Sequence, residues 1–73
     1  MIEVRLFASL REGRQKILFL DAHEYRKVSE VLDHLNIRYK EVSLYLINGR
    51  HSKLDDKINE GDVLAFFPPV GGG

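Results

Sequence analysis

Residues 63–73 read Val-Leu-Ala-Phe-Phe-Pro-Pro-Val-Gly-Gly-Gly, and this stretch guides the interpretation of the rest of the chain. The apolar segment 63–67 predicts a strand. The two prolines that follow end its pairing, because proline has no N–H to donate to a sheet. Glycine loses the most backbone freedom on ordering and has no side chain to bury, so three glycines in a row are unusual in a segment that only packs. We therefore expect residues 68–73 to form a C-terminal tail with a stiff base and a flexible tip.

The composition is typical of one small globular domain that covers residues 1–73, with 44% hydrophobic and 30% charged residues. The 11 Lys and Arg residues balance the 11 Asp and Glu residues, so the clustered basic excess of a nucleic-acid-binding protein is missing. The absence of cysteine excludes disulfides and cysteine-based zinc sites. No signal peptide or bilayer-spanning apolar run is recognisable, so we expect a cytoplasmic protein that does not bind membranes.

The N-terminal part predicts a β-hairpin. Alternating apolar residues over 2–8 predict a first strand, and the polar segment 9–15 predicts a turn. Residues 16–21 predict a second strand, which the short connection makes antiparallel to the first. Ile17 and Phe19 share one face of that strand, but both of its faces are apolar, and the pattern leaves open which one is buried.

Residues 28–35 predict the helix. Apolar residues at i, i+3, i+4 and i+7 form one stripe, which consists of Val28, Val31, Leu32 and Leu35. Asn36 is a suitable left-handed residue to end the helix. The start is less defined, because Lys27 is a poor N-cap. A helix this short must dock on a sheet to be stable.

Two further strands complete the prediction. Residues 43–48 are apolar on both faces, so this strand is either covered on both sides or presents one apolar face to a partner. Asn48-Gly49 is a strong turn signal, residues 54–62 form a connection, and residues 63–67 form the last strand. The order strand, strand, helix, strand, strand predicts an α+β fold of the β-grasp (ubiquitin-like) kind. This fold is a mixed sheet of four to five strands with one helix packed across one face.

Residue types that often form catalytic or metal sites are poorly arranged in this chain. The histidines His23, His34 and His51 are too scattered for a metal site; we expect the second on the helix surface and the others in loops. The acidic pair Asp55-Asp56 is interpreted as a solvated turn, because catalytic carboxylates need a shared pocket. We therefore expect no metal site.

Phe7 and Phe67 are the better candidates for an interaction surface. Strand alternation places both on the side of the sheet away from the helix, where exposed apolar clusters mark interaction sites. The alternative is that a loop covers them. The nearby cationic cluster of Arg11, Arg14 and Lys16 is short and has an acidic neighbour, so we interpret it as a solvated turn.

Three segments resemble the MoaD/ThiS family of ubiquitin-like sulfur carriers. They are Phe-Ala-Ser-Leu-Arg-Glu at 7–12, Ile-Asn-Gly at 47–49, and Gly-Asp-Val-Leu-Ala-Phe-Phe-Pro-Pro-Val at 61–70 followed by Gly72-Gly73. The order of elements matches along the whole chain. Proline after the last strand makes the chain most similar to the molybdopterin synthase small subunit, because tails of the thiazole-forming branch usually lack Pro-Pro.

The resemblance implies a protein that is not catalytic alone and binds no cofactor itself. A ubiquitin-activating-like adenylyltransferase would use ATP to adenylate the Gly73 carboxylate. Sulfur from a donor would then displace AMP and leave a thiocarboxylate. The tail would deliver this sulfur in the active site of a molybdopterin synthase large subunit.

The resemblance also assigns roles to individual residues. Gly73 is the reacting residue, and the rest of the tail consists of Pro68, Pro69, Val70, Gly71 and Gly72. The implied partner-binding residues are Phe7, Arg11 and Phe67. The chain departs from the family in its short first hairpin loop and in Gly71, where Thr or Ala is common. Alternatives are a carrier for thiazole or amino-acid biosynthesis, a ubiquitin-like modifier of lysines, and an interaction module with an inert tail.

Overall fold

A computed structural model describes residues 1–70 of the chain, which form five strands, one α-helix and two short 3-10 turns. In chain order these are β1 (Ile2–Leu6), a 3-10 turn (Ala8–Arg11), β2 (Ile17–Leu20), α1 (Val28–His34), a 3-10 turn (Tyr39–Glu41), β3 (Leu44–Ile47), β4 (Arg50–His51) and β5 (Val63–Phe67). The five strands form one sheet in the order β2-β1-β5-β3-β4. This mixed sheet with a single helix confirms the predicted α+β architecture.

The first and last strands lie side by side in the middle of the sheet. β1 and β5 are parallel, with Val4 opposite Leu64 and Leu6 opposite Phe66, whereas every other neighbouring pair is antiparallel. All four of these side chains are buried. Complete burial of such a side chain contributes roughly 1.5–3 kcal/mol, so this pairing forms a large part of the core.

The core lies between one face of the sheet and α1. The helical stripe predicted from the sequence is confirmed for Val28, Val31 and Leu32, which are buried. The other buried hydrophobic residues are Ile2, Val4, Leu6, Leu10, Ile37, Val42, Ile58, Leu64 and Phe66. Within residues 1–70, no helix covers the opposite face of the sheet, and we call it the helix-free face.

The free N–H groups at the start of α1 are hydrogen-bonded to a distant part of the chain, which the local sequence does not reveal. Lys27 is the N-cap residue and makes no side-chain cap. Instead, the N–H groups of Val28 and Ser29 donate to the carbonyls of Asp56 and Leu54, at 3.2 and 3.0 Å. The connection after β4 thus replaces a capping side chain, since the first turn of any helix leaves its N–H groups without internal partners.

The end of α1 is closed by Asn36 and Arg14. Asn36 has a left-handed φ of 57°, as predicted, and the helix ends at His34, one residue before the predicted boundary. The Arg14 guanidinium donates to the carbonyls of Leu10, Leu35 and Asn36 at 3.2–3.3 Å. The interpretation of Arg14 as part of a solvated turn was therefore wrong, because this cation binds the carbonyl end of the helix.

Other local expectations also differ from the structure. The first and third strands span 2–6 and 44–47, and both are shorter than the predicted 2–8 and 43–48. The predicted turn at 9–15 begins instead with a 3-10 turn that buries Leu10 in the core. The second strand is shorter than the predicted 16–21, at 17–20. Residues Arg50–His51 form an additional edge strand, so His51 lies in a strand and not in a loop. A two-residue strand has too little alternation to stand out in a sequence.

The Asn48-Gly49 turn joins β3 to β4 and also contacts β5. Both residues have positive φ, 52° and 81°, as expected for the type I′ turns that favour Asn-Gly in two-residue hairpins. The Asn48 side chain accepts a hydrogen bond from the Val63 N–H and donates one to Asp62 Oδ1, each at 2.9 Å. This residue therefore fixes both the hairpin and the entry into the last strand.

We predict that Asn48→Ala lowers the free energy of unfolding by about 2 kcal/mol. It removes two exposed hydrogen bonds worth about 0.5 kcal/mol each. It also places alanine at a positive φ without the side-chain hydrogen bonds that allow asparagine to adopt this conformation, at a cost of about 1 kcal/mol. Asn48→Gly loses the same bonds but tolerates the φ value, so we expect a loss of about 1 kcal/mol. Urea unfolding measures both variants. Equal losses would contradict a role for the left-handed conformation.

Candidate functional site

The base of the tail is held against β3. β5 pairs with β3 as far as Phe67, which lies opposite Leu44, and Pro68 then ends the ladder. The Ser43 N–H donates to the Phe67 carbonyl at 2.8 Å, and its hydroxyl donates to the Pro68 carbonyl at 3.1 Å. Val70 is 95% exposed. The tail thus leaves the sheet from a defined point.

The sequence-predicted residues of the tail tip lie beyond this base. Gly71, Gly72 and Gly73 are outside the described residues, so their predicted roles stay predictions. Pro68 is half-buried, whereas Pro69 is exposed next to Val70. Within the described part of the tail, exposure thus increases from Pro68 to Val70.

Phe7 and Phe67 are brought together beside the tail base. Their rings are stacked, with centroids 4.2 Å apart and an angle of 9° between planes. The Arg11 guanidinium carbon lies 5.4 Å from the centroid of the Phe7 ring, and Arg11 Nε donates to the Leu6 carbonyl at 2.8 Å. Arg11 is therefore anchored over an aromatic ring. This differs from the interpretation of Arg11 as part of a freely solvated turn.

The stacked rings belong to a larger apolar surface on the helix-free face. Alternation along β3 and β5 places half-buried apolar side chains on this face, and Phe7, which follows β1, joins them. We call this surface the apolar patch; it consists of Phe7, Leu44, Leu46, Val63, Ala65 and Phe67. Of the two alternatives for the third strand, the structure supports the one in which an apolar face is left open. Alternation along the last strand already predicts that Val63 and Ala65 share the face of Phe67. Sequence reasoning missed Leu44 and Leu46, because they join the patch only through the register between β3 and β5.

Two tyrosines lie on the segment that precedes Ser43 and on β3. The Tyr39 hydroxyl donates to Asp33 Oδ1 at 2.8 Å, and this bond to a carboxylate raises the pKa of Tyr39 above its usual value. Burial raises the pKa of Tyr45, whose hydroxyl donates to the Tyr39 carbonyl at 3.1 Å. Both phenols therefore remain protonated at neutral pH and act as hydrogen-bond donors.

The histidines and the acidic pair Asp55-Asp56 do not converge on one site. His51 lies opposite Leu46 on the helix-free face. His34 Nδ1 lies 3.0 Å from the Tyr25 hydroxyl at the end of α1, and Asp56 Oδ2 accepts the Lys53 N–H at 2.9 Å within a turn. Among residues 1–70, no group of three or more His, Cys, Asp or Glu side chains is placed to hold a metal ion. No helix in that range is long and apolar enough to cross a membrane.

A comparison with protein families identifies the chain. The model of the ThiS family matches residues 4–73, which is nearly the whole sequence and includes the three glycines. The chain belongs to the ThiS family. This confirms the predicted resemblance to the MoaD/ThiS ubiquitin-like sulfur carriers.

Solved structures of ubiquitin-like proteins are similar over the full chain. SAMP1 from Haloferax volcanii is 30% identical with a TM-score of 0.74, over 99% of this chain and 98% of that one. A molybdopterin converting factor subunit 1 from Pyrococcus furiosus is 26% identical with a TM-score of 0.65, over 94% and 97%. A chain from the BexX/CysO complex of Amycolatopsis orientalis is 18% identical with a TM-score of 0.73 over both full lengths, which supports the fold alone. None of the curated protein sequences matched this chain.

We predict that Ser43→Ala loosens the tail base without unfolding the domain. The variant loses the hydroxyl bond to the Pro68 carbonyl, an exposed bond worth about 0.5–1 kcal/mol at most, and keeps the backbone bond to Phe67. The heteronuclear NOE of the Val70 amide should fall. Ser43→Thr retains the hydroxyl and should restore it. An unchanged NOE in Ser43→Ala would show that the hydroxyl does not hold the tail.

Proposed function

We propose that this chain is a sulfur carrier that acts as the small subunit of a molybdopterin synthase-like complex. The Gly73 carboxylate attacks ATP in the active site of a ubiquitin-activating-like adenylyltransferase, which forms an acyl adenylate and releases pyrophosphate. A sulfur donor then displaces AMP, and a thiocarboxylate remains in place of the carboxylate. The large synthase subunit takes this sulfur for the dithiolene of molybdopterin.

The family match through residue 73, together with the geometry of the tail base, is the observation that carries this proposal. Ser43 and the end of β5 hold the base, and the chain beyond Val70 contains only glycine. Glycine has no Cβ that would clash in a narrow active-site channel. The two prolines restrict the base and so reduce the entropy lost when the tail enters a partner.

The chemistry also explains why a partner and ATP are needed. An α-carboxylate is ionised at neutral pH, and an ionised carboxylate is a poor acceptor for a sulfur nucleophile. Adenylation converts its oxygen into a good leaving group. The chain contains no cysteine, so no internal thiol competes for the activated acyl group. We propose that the chain binds no cofactor itself and that the ATP belongs to the activating enzyme.

The apolar patch is the surface that we assign to partner docking. It lies beside the tail base, so a protein that binds it also receives the tail. Phe7 and Phe67 supply a stacked aromatic pair, and Arg11 adds a cation at its rim. Buried aromatic and arginine side chains carry much of the binding energy in protein interfaces.

Intact-mass measurement tests the proposed chemistry. Incubation with an activating enzyme of the family, ATP and a sulfide donor should raise the mass by the difference between one sulfur and one oxygen atom. The gain should map to Gly73 and should require ATP. The variant that lacks Gly72 and Gly73 is the matched control and should not change. If the full chain shows no exchange, the carrier proposal is wrong.

A second candidate is a protein modifier, because the chain is 30% identical to SAMP1, which is described as a small archaeal modifier protein. A modifier would form isopeptide bonds between Gly73 and lysines of target proteins. Mass spectrometry of lysates under several growth conditions would detect such adducts. Adducts without any thiocarboxylate-dependent sulfur transfer would favour this candidate over the carrier.

We predict that Phe67→Ala weakens binding to the large synthase subunit by about 30-fold, the effect expected for a residue that carries about 2 kcal/mol of binding energy. The loss arises because the variant removes one ring of the stacked pair. Asp55→Ala changes an exposed side chain in the connection that lies beside the start of α1, away from the apolar patch, and should leave the affinity unchanged. Calorimetric titration measures both. Equal affinities for Phe67→Ala and the unmodified chain would contradict docking through this patch.

A further inference from the structure

The free edge of β2 has features that the proposed carrier function does not use. β2 is one of the two outer strands of the sheet, and its only neighbour is β1. All four of its residues, Ile-Leu-Phe-Leu, are apolar. Natural sheets usually protect such an edge with charges, proline or very short strands, because its unpaired backbone can bind another strand.

The backbone hydrogen bonds of β2 define which residues point outward. The Leu6 N–H donates to the Lys16 carbonyl at 2.8 Å, so Lys16, Leu18 and Leu20 form the hydrogen-bonded pairs with β1. In an antiparallel ladder the intervening residues direct their N–H and C=O groups away from the neighbour. The outward backbone groups of this edge are therefore those of Ile17 and Phe19.

The same two residues also present their side chains to solvent. Ile17 is 48% exposed and Phe19 is 59% exposed, on the helix-free face. The other edge is different: β4 has only two residues, Arg50 and His51, and both are exposed and polar. Within residues 1–70, one edge of the sheet is therefore short and polar, whereas the other combines free backbone groups with exposed apolar side chains.

We propose that β2 pairs with β2 of a second copy of this chain, antiparallel and centred on Leu18. A twofold axis perpendicular to the sheet keeps the helix-free faces of both copies on one side. Each residue must then lie opposite a residue whose side chain points to the same face, so odd-numbered residues pair with odd-numbered ones. Centring on Leu18 places Ile17 opposite Phe19 of the second copy, so the outward N–H and C=O groups of these residues bond reciprocally. Cross-strand pairs of an aromatic and a β-branched side chain are among the stabilising ones.

Charge at the two ends of β2 favours the same occupant. Lys16 precedes the strand and Asp21 follows it, and both are exposed. In this antiparallel register Lys16 lies opposite Leu20 of the second copy, and Asp21 is the next residue along that strand. The cationic end of each strand therefore adjoins the anionic end of the other, whereas a parallel arrangement would align like charges. The order of cation, apolar strand and anion is complementary to itself in an antiparallel pair, and it therefore favours a second copy as the partner. An unrelated extended peptide would carry the same order of charges only by chance.

Pairing at β2 leaves the tail region free. The tail follows β5, which is separated from the β2 edge by β1. Because the twofold axis reverses the strand direction, the two tails leave the joined ten-stranded sheet at opposite ends. The interface is small, so we expect reversible association that depends on concentration. This dimer does not depend on the proposed sulfur chemistry, and its test requires no partner enzyme.

Sedimentation equilibrium of the full chain tests the association. The weight-average mass should rise with concentration toward twice that of one chain. Phe19→Lys places a cation opposite Ile17 of the second copy and should weaken association at least tenfold. Val70→Lys makes the same change in charge at an exposed apolar residue remote from β2 and should associate like the unmodified chain. Far-UV circular dichroism checks that both variants are folded.

Single cysteines test the register, because the chain has no cysteine of its own. Leu18→Cys places two thiols in a directly opposed pair, whose Cα separation of about 4.5–5.5 Å is suitable for a disulfide. Leu20→Cys is the matched control: it lies on the same face of the same strand, but its copies would be about four residues apart along the strands, roughly 13 Å. Mild oxidation should cross-link the first variant at least tenfold faster.

Either of two results would overturn the proposal. The first is a chain that remains monomeric at every concentration in sedimentation equilibrium. The proposal is equally wrong if the β2 amides of that monomer become protected from hydrogen exchange only when a different protein is added. The second is equal cross-linking of Leu18→Cys and Leu20→Cys, which would mean that any association occurs by random collision or in another register.

Discussion

The parallel pairing of β1 with β5 is the constraint on which the rest of this structure depends. It joins the two ends of the sequence in the centre of the sheet, so the intervening chain must supply both outer pairs and the helix that covers one face. Parallel strands also end at the same side of a sheet. Phe7, which follows β1, therefore meets Phe67 at the end of β5, and the tail leaves the sheet beside this pair. The core and the candidate site thus arise from one backbone register.

Sequence predicted the features that are determined by a few neighbouring residues. The stripe of α1, the Asn48-Gly49 turn and the last strand all follow from local spacing or from backbone preferences. Features that depend on distant contacts were missed or misread. Arg14 serves the end of a helix about twenty residues away, and Leu10 is buried only because the sheet and helix close over its turn. The sequence also left undecided which face of β2 is buried, because both of its faces are apolar.

In the candidate site, too, local features were predicted and features that depend on distant contacts were not. Alternation alone predicted that Phe7 and Phe67 point to the helix-free face, and their adjacency and stacking confirm an aromatic cluster there. Leu44 joins them through the β3–β5 register, which spacing along the sequence cannot reveal. Arg11 was misinterpreted because a charged residue in a polar segment usually belongs to a solvated turn. Its place over an aromatic ring depends on the 3-10 turn that follows β1.

For the proposed carrier function, we expect partner selection to depend on the base of the tail more than on its tip. Residues 71–73 are all glycine, so they offer no side chain that could distinguish one partner from another. Similar ubiquitin-like structures carry quite different titles, which means that the fold does not distinguish among their roles. Side chains that differ in size and charge can distinguish partners, and Phe7, Phe67 and Arg11 are the ones placed beside the tail. An apolar surface with Arg11 beside its aromatic pair favours a partner that offers an apolar surface and a carboxylate at the matching position.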